Sequence, residues 1–407
     1  MFAGRRVLVG VSGGIAAYKV CQLVSDLIKA GAEVRVVLTS AAHHFVQPLT
    51  FETLSRHRAY GDEDFWAART AAEKPLHIEL GQWAEVLVLA PLTANTLAKL
   101  TFGLADNLLT NVVLASEGPV LLAPAMNTVM WEQEVVQRNL KLLSQTARFH
   151  WSGPDQGLMA CDTTGVGRMS EVEALLPQVG SLLWTQGKRD LQGKRVLISA
   201  GGTREFLDPV RFIGNPSTGK MGIALAHSAS HRGAEVVLVH GPTTESLPIG
   251  VENLAVTSAQ QMHHIMRERA PEADFIVMNA AVADVRPRAY RSDKIPKKEL
   301  PQQLELEPVP DILQDLTSRR TPGQCFIGFA AQTGDIQVAA AEKLKRKDVD
   351  FLIANPVDQV DAGFAHENNQ AIFLPRNGSG RLVPLVSKLE LAHRMWDFVL
   401  KAGWPLP

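Results

Sequence analysis

Cysteine is scarce in this chain: three in 407 residues, with no CxxC pair and no Cys/His cluster. That argues against a disulfide framework or a zinc site and points to a reducing, cytoplasmic setting. An excess of charge of either sign is lacking too. Lysine and arginine number 41 against 42 acidic residues, a formal net charge of -1. No global field favours nucleic acid or an anionic membrane, so any anion must be recognised locally. No run approaches the roughly 20 uncharged apolar residues that cross a bilayer. The opening MFAGRRVLVGVSGG has a basic pair but only a short, glycine-broken apolar run, unlike a signal peptide. The expectation is a soluble, enzyme-sized protein with no membrane and no nucleic acid as partner.

What is present is an order of elements that occurs twice. RRVLVGV (residues 5–11) ends in SGG, leads into the helical pattern IAAYKVCQLVSDLIKAG, and is followed by the strand-like GAEVRVVLTSAA. KRVLISA (194–200) ends in GGT, leads into MGIALAHSASHRG, and is followed by GAEVVLVHGPTT. WAEVLVLAPLTAN is echoed by EADFIVMNAAVAD. Buried strands alternating with helices indicate βαβ units and parallel sheets. The chain is therefore expected to hold two doubly wound, mostly parallel α/β domains, residues 1–183 and 195–407, joined by the polar stretch 184–194. After Gly323 come the strand CFIGFAA, a charged helix, the strand VDFLIAN, a hairpin and a last helix, KLELAHRMWDFVL.

Ligands of such sheets bind at the carboxyl ends of the strands. Neither SGG nor AGGT completes a GxGxxG or P-loop motif, so each reads equally as a tight turn or a phosphate cradle. His77 lies in PLHIEL, whose alternation suggests a strand or its entrance; it is either a packed histidine or a base. Asn127, past the strand PVLLA, can orient a carboxylate through its amide. Cys161 sits in GLMACDTTGVGRM (157–169), a glycine- and threonine-rich stretch that reads as a mobile loop. In RFIGNPSTGKMG (211–222), Ser217 or Thr218 caps a helix, or the helix N-terminus seats an anion with Asn215 on the substrate. Asp284, read as ending a strand, is placed for a metal or a ribose. Lys294 can neutralise a triphosphate, and Lys343 and Lys347, one helical turn apart, can reach one anion. Cys21 and Cys325 read as core.

Taken in order, SGGIAAYK, HIEL, LAPLTANTLAKL, GLADNLL, APAMN and GVGRM, then AGGTREFLDPVRFIGNPSTGKMG, NAAVADVRP, DKIPKK, GFAAQT and IAN cover nearly the whole chain. In this order they resemble the bifunctional bacterial phosphopantothenoylcysteine decarboxylase/phosphopantothenate–cysteine ligases of coenzyme A biosynthesis. The resemblance implies a flavodoxin-like FMN domain followed by a Rossmann-like ligase domain using CTP and Mg²⁺. It implies that 4′-phosphopantothenate is activated as an acyl-cytidylate and joined to cysteine, and that the product is then decarboxylated to 4′-phosphopantetheine. By resemblance His77 is the base, Asn127 holds the departing carboxylate and Cys161 is the acid of a flap. Ser12, Gly13, Thr39, Thr93 and Asn95 match FMN-binding positions. Asn215 matches the acyl-cytidylate asparagine and Lys294 the key lysine. Ala280, Asp284, Phe329, Lys343 and Lys347 match the CTP region, with Asp284 the metal ligand. The resemblance also implies a homo-oligomer built from trimers.

Two positions depart from the family pattern. The flap of the family reads ACGD, whereas Cys161 is followed directly by Asp162; Gln332 in GFAAQT replaces a glutamate. Two other readings therefore stand beside the first: a ligase with an impaired decarboxylase flap, and a non-catalytic FMN-binding regulatory protein.

Overall fold

The computed structural model describes residues 1–67, 74–158, 163–332, 336–356 and 366–403. Two compact units divide the chain, Met1–Lys188 and Arg189–Pro407.

The first unit is built on a six-stranded sheet: β1 (Arg6–Val11), β2 (Glu33–Leu38), β3 (Ala59–Tyr60), β4 (Val86–Leu92), β5 (Val120–Pro124) and β6 (Phe149–Trp151). All neighbours are parallel, in the order β3-β2-β1-β4-β5-β6. Period-two alternation sends Val7, Val9 and Val11 into one core and Leu8 into the other. Apolar layers cover both faces, which is why these strands read as unbroken β-branched runs. The crossings and flanks are α1 (Ala17–Lys29), α2 (Pro48–Ser55), α3 (Asp62–Phe65), α4 (Leu76–Trp83), α5 (Ala94–Phe102), α6 (Leu108–Ala115), α7 (Thr128–Glu132) and α8 (Glu134–Leu143). A separate antiparallel hairpin, β7 (Asp155–Leu158) and β8 (Thr164–Arg168), precedes α9 (Val172–Thr185).

The second unit repeats the plan on eight strands. They are β9 (Arg195–Ala200), β12 (Glu235–His240), β13 (Glu252–Ala255), β14 (Phe275–Met278), β17 (Cys325–Gln332), β18 (Phe351–Pro356), β19 (Asn368–Pro375) and β20 (Arg381–Ser387). Their order is β13-β12-β9-β14-β17-β18-β19-β20, parallel up to β18 and antiparallel beyond. Two small ladders sit outside the sheet: β10 (Glu205–Phe206) with β11 (Phe212–Ile213), and β15 (Val285–Pro287) with β16 (Leu306–Pro308). On one face Ile198 and Val277 pack with α10 (Lys220–His231) and α14 (Lys388–Lys401). On the other, Leu197 and Ile276 pack with α11 (Ala259–Arg269), α12 (Ile312–Ser318) and α13 (Ile336–Lys347). In both units the first strand lies between the second and fourth, so the chain reverses direction there and opens a crevice at the strand tips.

Three local expectations are corrected. His77 lies on helix α4 rather than a strand, because Leu76 and Leu80, four residues apart, are the positions that bury. The stretch around Cys161 enters and leaves as paired strands, not as an irregular loop, although residues 159–162, Cys161 among them, fall outside the described part. Asp284 does not end a strand: β14 closes at Met278, and Asp284 immediately precedes β15.

Candidate functional site

In the first unit the tips of β1, β2 and β4 converge. Ser12 Oγ donates to the Pro91 carbonyl at 2.6 Å and accepts from Thr93 N–H at 3.1 Å, tying the first loop to the fourth strand. Thr93 caps α5, its Oγ1 accepting from Thr96 N–H, and Asn95 stands in that helix's first turn. Gly13 must lack a side chain: a Cβ there would lie 2.4 Å from Ala41 Cβ and 2.9 Å from the Ala41 carbonyl oxygen. Between these loops Thr39 Oγ1 is buried without a hydrogen-bond partner among the described residues. A buried hydroxyl without a partner is costly and marks a place for a polar ligand atom.

Asp62 extends this cluster. Its carboxylate accepts from Ser40 Oγ at 2.5 Å and from Leu108 N–H at 3.0 Å, so α3 joins the second strand tip to the GLADNLL segment. His77 meets α3 edge-on, its ring 5.4 Å from that of Phe65. On the far side of β4, Asn127 caps α7 by accepting from Val129 N–H at 2.8 Å. The β7–β8 hairpin lies against the same segment. Met126 N–H donates to the Gly167 carbonyl at 2.9 Å, and a Cβ on Gly165 would come within 2.4 Å of Thr128 Oγ1. The described strands of this hairpin are thus seated beside the Asn127 segment.

In the second unit the NAAVAD loop is fastened to the tip of β9 by two buried hydroxyls. Ser199 Oγ accepts from Asn279 and Ala280 N–H at 3.2 and 3.1 Å, and Thr203 Oγ1 accepts from Ala283 N–H at 3.0 Å. Asn215 reaches the same loop, its side-chain amide donating to the Val282 carbonyl at 3.0 Å. It can do so because Gly202 has no side chain; a Cβ there would stand 2.5 Å from the Asn215 carbonyl oxygen. Neither Ser217 nor Thr218 is the cap of α10. That position falls to Gly219 at φ +85°, which makes no side-chain cap, while Thr218 Oγ1, one residue earlier, accepts from Lys220 N–H, the first of α10, at 3.5 Å.

These pieces enclose a cleft of about 570 Å³ over the strand tips. Of the residues singled out from sequence, Asn215, Ala280, Asp284, Phe329, Lys343 and Lys347 line it. Burial, with Lys347 and Arg346 nearby, holds the Lys343 ammonium below its ordinary range, against the pull of Asp284 and Asp311. Lys294 stands apart: it is exposed and is not among the residues lining the cleft. Its loop is anchored by Asp208, which is fully buried in the turn between β10 and β11. Burial alone would raise that carboxyl, but backbone N–H groups of Val210, Arg211 and Ile295 and the Arg211 guanidinium overcome it and bring it to about 2.

Two family models match the chain. One described as "Flavoprotein" covers residues 1–183, and one described as "DNA/pantothenate metabolism flavoprotein C-terminal domain" covers 191–402. Curated relatives named "Coenzyme A biosynthesis bifunctional protein CoaBC" match almost end to end. The Bacillus subtilis protein is 40% identical over 97% of this chain and 96% of its own, and the Haemophilus influenzae protein 41% over 98% and 98%. The chain belongs to the bifunctional coenzyme A biosynthesis family. Among solved structures, the C-terminal domain of a CoaBC protein is 36% identical, covering 51% of this chain and 94% of that one, with a TM-score of 0.44.

In this family member, sequence reasoning passed over several residues that build the site. Ser199, Thr203 and Asp208 left no signal, since a strand-end hydroxyl or a turn aspartate looks ordinary until its partner, some 80 residues away, is known. Lys220 stands inside RFIGNPSTGKMG, where only Ser217, Thr218 and Asn215 were weighed. Lys388, the first residue of α14, opens the last helix KLELAHRMWDFVL and was given no role; it is 6% exposed and lines the cleft.

Proposed function

We propose that the chain is a bifunctional cytoplasmic enzyme of coenzyme A synthesis, with ligation in the second unit and decarboxylation in the first. The observation that carries the ligase half is the second cleft, where Asn215, Asp284, Phe329 and two α13 lysines meet over the strand tips. A carboxylate is a poor acyl donor at neutral pH, so that of 4′-phosphopantothenate is first joined to the α-phosphate of CTP with release of pyrophosphate, and the cysteine amine then displaces CMP from the acyl-cytidylate. Asn215 holds the acyl-cytidylate; Ala280, Phe329, Lys343 and Lys347 hold the nucleotide. Lys294 closes on the reacting phosphate from its loop. The described residues contain no group of three His, Cys, Asp or Glu able to hold a metal. Mg²⁺ would thus bind through Asp284 and the nucleotide's own phosphates, as a hard cation with few protein ligands does.

The first unit suits FMN. Ser12, Gly13, Thr39, Thr93 and Asn95 would hold it, and the Thr39 hydroxyl, without a partner among the described residues, is the polar atom that such a group would satisfy. Bound there, FMN supplies a two-electron acceptor and donor that no side chain of the protein can replace. His77 is the base during oxidation of the carbon bearing sulfur, Asn127 orients the carboxylate that leaves as CO₂, and Cys161 returns a proton to the enethiol that remains. The assembly is a homo-oligomer built from trimers.

The test is to incubate purified protein with 4′-phosphopantothenate, cysteine, CTP and Mg²⁺ and to identify products by mass. Appearance of 4′-phosphopantetheine is expected. Arrest at phosphopantothenoylcysteine would keep the ligase and locate a defect at the flap; no product of either kind would overturn the reading.

A further inference from the structure

The cleft of the second unit straddles the edge of its sheet. Lys343 and Lys347 come from α13 on one face, whose Ala340 and Leu344 pack into that side's core. Two more lysines reach the cleft from the opposite face: Lys220 begins α10 and Lys388 begins α14. These two helices lie side by side, joined by a 3.1 Å hydrogen bond from Trp396 Nε1 to Ser228 Oγ. Asn355, near the end of β18, and Asn369, near the start of β19, line the cleft as well. Among the described residues that line the cleft, four lysines thus face two aspartates, Asp284 and Asp311, and Asp311 is already paired with Lys347.

Lys220 is held by carboxylates from outside the lining, Glu367 and, at 3.8 Å, Glu245. Glu367 is 80% exposed, so its hold on Lys220 is one that a better anion can replace. Lys388 is nearly enclosed, and burial together with the neighbouring Lys220 brings its ammonium down to about 8, against Glu367 and Glu245. An ammonium kept in such a place is stabilised when a multiply charged anion arrives beside it.

We propose that Lys220 and Lys388, with Asn369, form a second phosphoryl seat, across the sheet edge from the Lys343/Lys347 pair. This rests on the ligase reading, whose reactants offer two sources of that chemistry: the terminal phosphates of the nucleotide and the phosphomonoester of phosphopantothenate. Glu367 occupies Lys220 until the phosphoryl group displaces it.

The experiment titrates inorganic pyrophosphate into the full-length protein by calorimetry, for wild type, Lys388→Met and Glu367→Gln. Wild type should bind saturably, and Lys388→Met should weaken binding by about tenfold or more, the usual worth of one charge-assisted contact. Glu367→Gln changes an exposed side chain, leaves the fold intact and should tighten binding severalfold by releasing Lys220. Unchanged affinity in both variants would overturn the seat. Steady-state ligation separates the sources. A higher KM for CTP alone in Lys388→Met assigns the seat to the nucleotide, and a higher KM for 4′-phosphopantothenate alone assigns it to the phosphomonoester. If neither KM moves, the proposal fails. Should wild type make no phosphopantothenoylcysteine, the ligase reading falls, while the pyrophosphate series still decides the seat.

Discussion

The two units share a strand order through their first four strands and then solve the same problem with different chemistry. At the tips of the first sheet the fastening groups are hydroxyls, Ser12 to Thr93 and Thr93 to Thr96, with one orphaned hydroxyl at Thr39. At the tips of the second sheet hydroxyls again clamp the fourth strand's loop, but the opening is ringed by lysines. A crevice fastened by hydroxyls suits a ligand held by many neutral contacts; one ringed by lysines suits a polyanion that comes and goes. The units also differ in where they keep structural charge. Arg5 ties the first unit together from the surface, pairing with Glu85 at 2.6 Å while 29% exposed. Arg232 does the corresponding work in the second while 1% exposed, reaching Asp190, Asp397 and His393 at once.

The largest effect should come from breaking that last contrast. Arg232→Ala strips partners from two aspartates and a buried histidine, and should cost the second unit about 3 kcal/mol. Arg5→Ala loses a half-exposed pair and one hydrogen bond to the Leu183 carbonyl, and should cost the first about 1 kcal/mol. Urea unfolding with a probe in each unit measures both. Equal losses would mean that burial of the guanidinium is not what sets its worth.

Much of this was legible in sequence because it is local. The duplicated strand–glycine–helix order fixes two doubly wound units, since buried β-branched runs and amphipathic helices need no distant information. Of the cleft residues, Asn215 was legible from its place before a helix and Lys343 and Lys347 from one helix stripe; Ala280 and Phe329 came only through the family resemblance, and Asp284 was read at a strand end but stands just before β15. What failed was either short or distant. The six residues of PLHIEL are too few to separate a strand from a helical turn, and His77 was misplaced on that account. The Asp208 turn and the Lys388 end depend on contacts across about 90 and 170 positions, to Ile295 and Lys220 respectively, and nothing in either local pattern announces them.

A second, smaller contrast lies in how closely the loops approach. In the second unit the loops after β9 and β12 meet glycine to glycine: a Cβ on Gly241 would fall 2.0 Å from the Gly202 carbonyl oxygen. In the first, Gly13 meets Ala41, whose side chain is part of the obstacle. A methyl pressed on a backbone oxygen has nowhere to go, so Gly241→Ala should cost about 2–3 kcal/mol and Gly13→Ala about 1–2 kcal/mol. Gly13→Ala should in addition lower the flavin content of purified protein, read from its visible absorbance. If Gly241→Ala proves the milder change, the close approach in the second unit is not rigid.

The effect that is smallest at neutral pH appears only on acidification. His393 is fully buried and its Nδ1 accepts from Arg232 Nε at 3.3 Å, which requires the neutral ring. Burial first, and Arg232 second, bring it down to about 3, against Asp397. An unfolded histidine titrates near 6.5. Between those values the unfolded chain binds a proton that the folded unit refuses, so stability is complete above pH 6.5 and falls as pH drops toward 3. The slope is about 1.4 kcal/mol per pH unit, or about 2 kcal/mol lost by pH 5. His227, brought to about 4 by burial alone, adds a loss of the same sign from pH 6.5 down to 4. His393→Gln keeps an acceptor for Arg232 and removes one of the two titrations. Its urea midpoints between pH 7.5 and 5 should therefore fall about half as steeply as those of wild type. An unaltered slope would mean that His393 takes up its proton without unfolding, and that Arg232 is held by its aspartates alone.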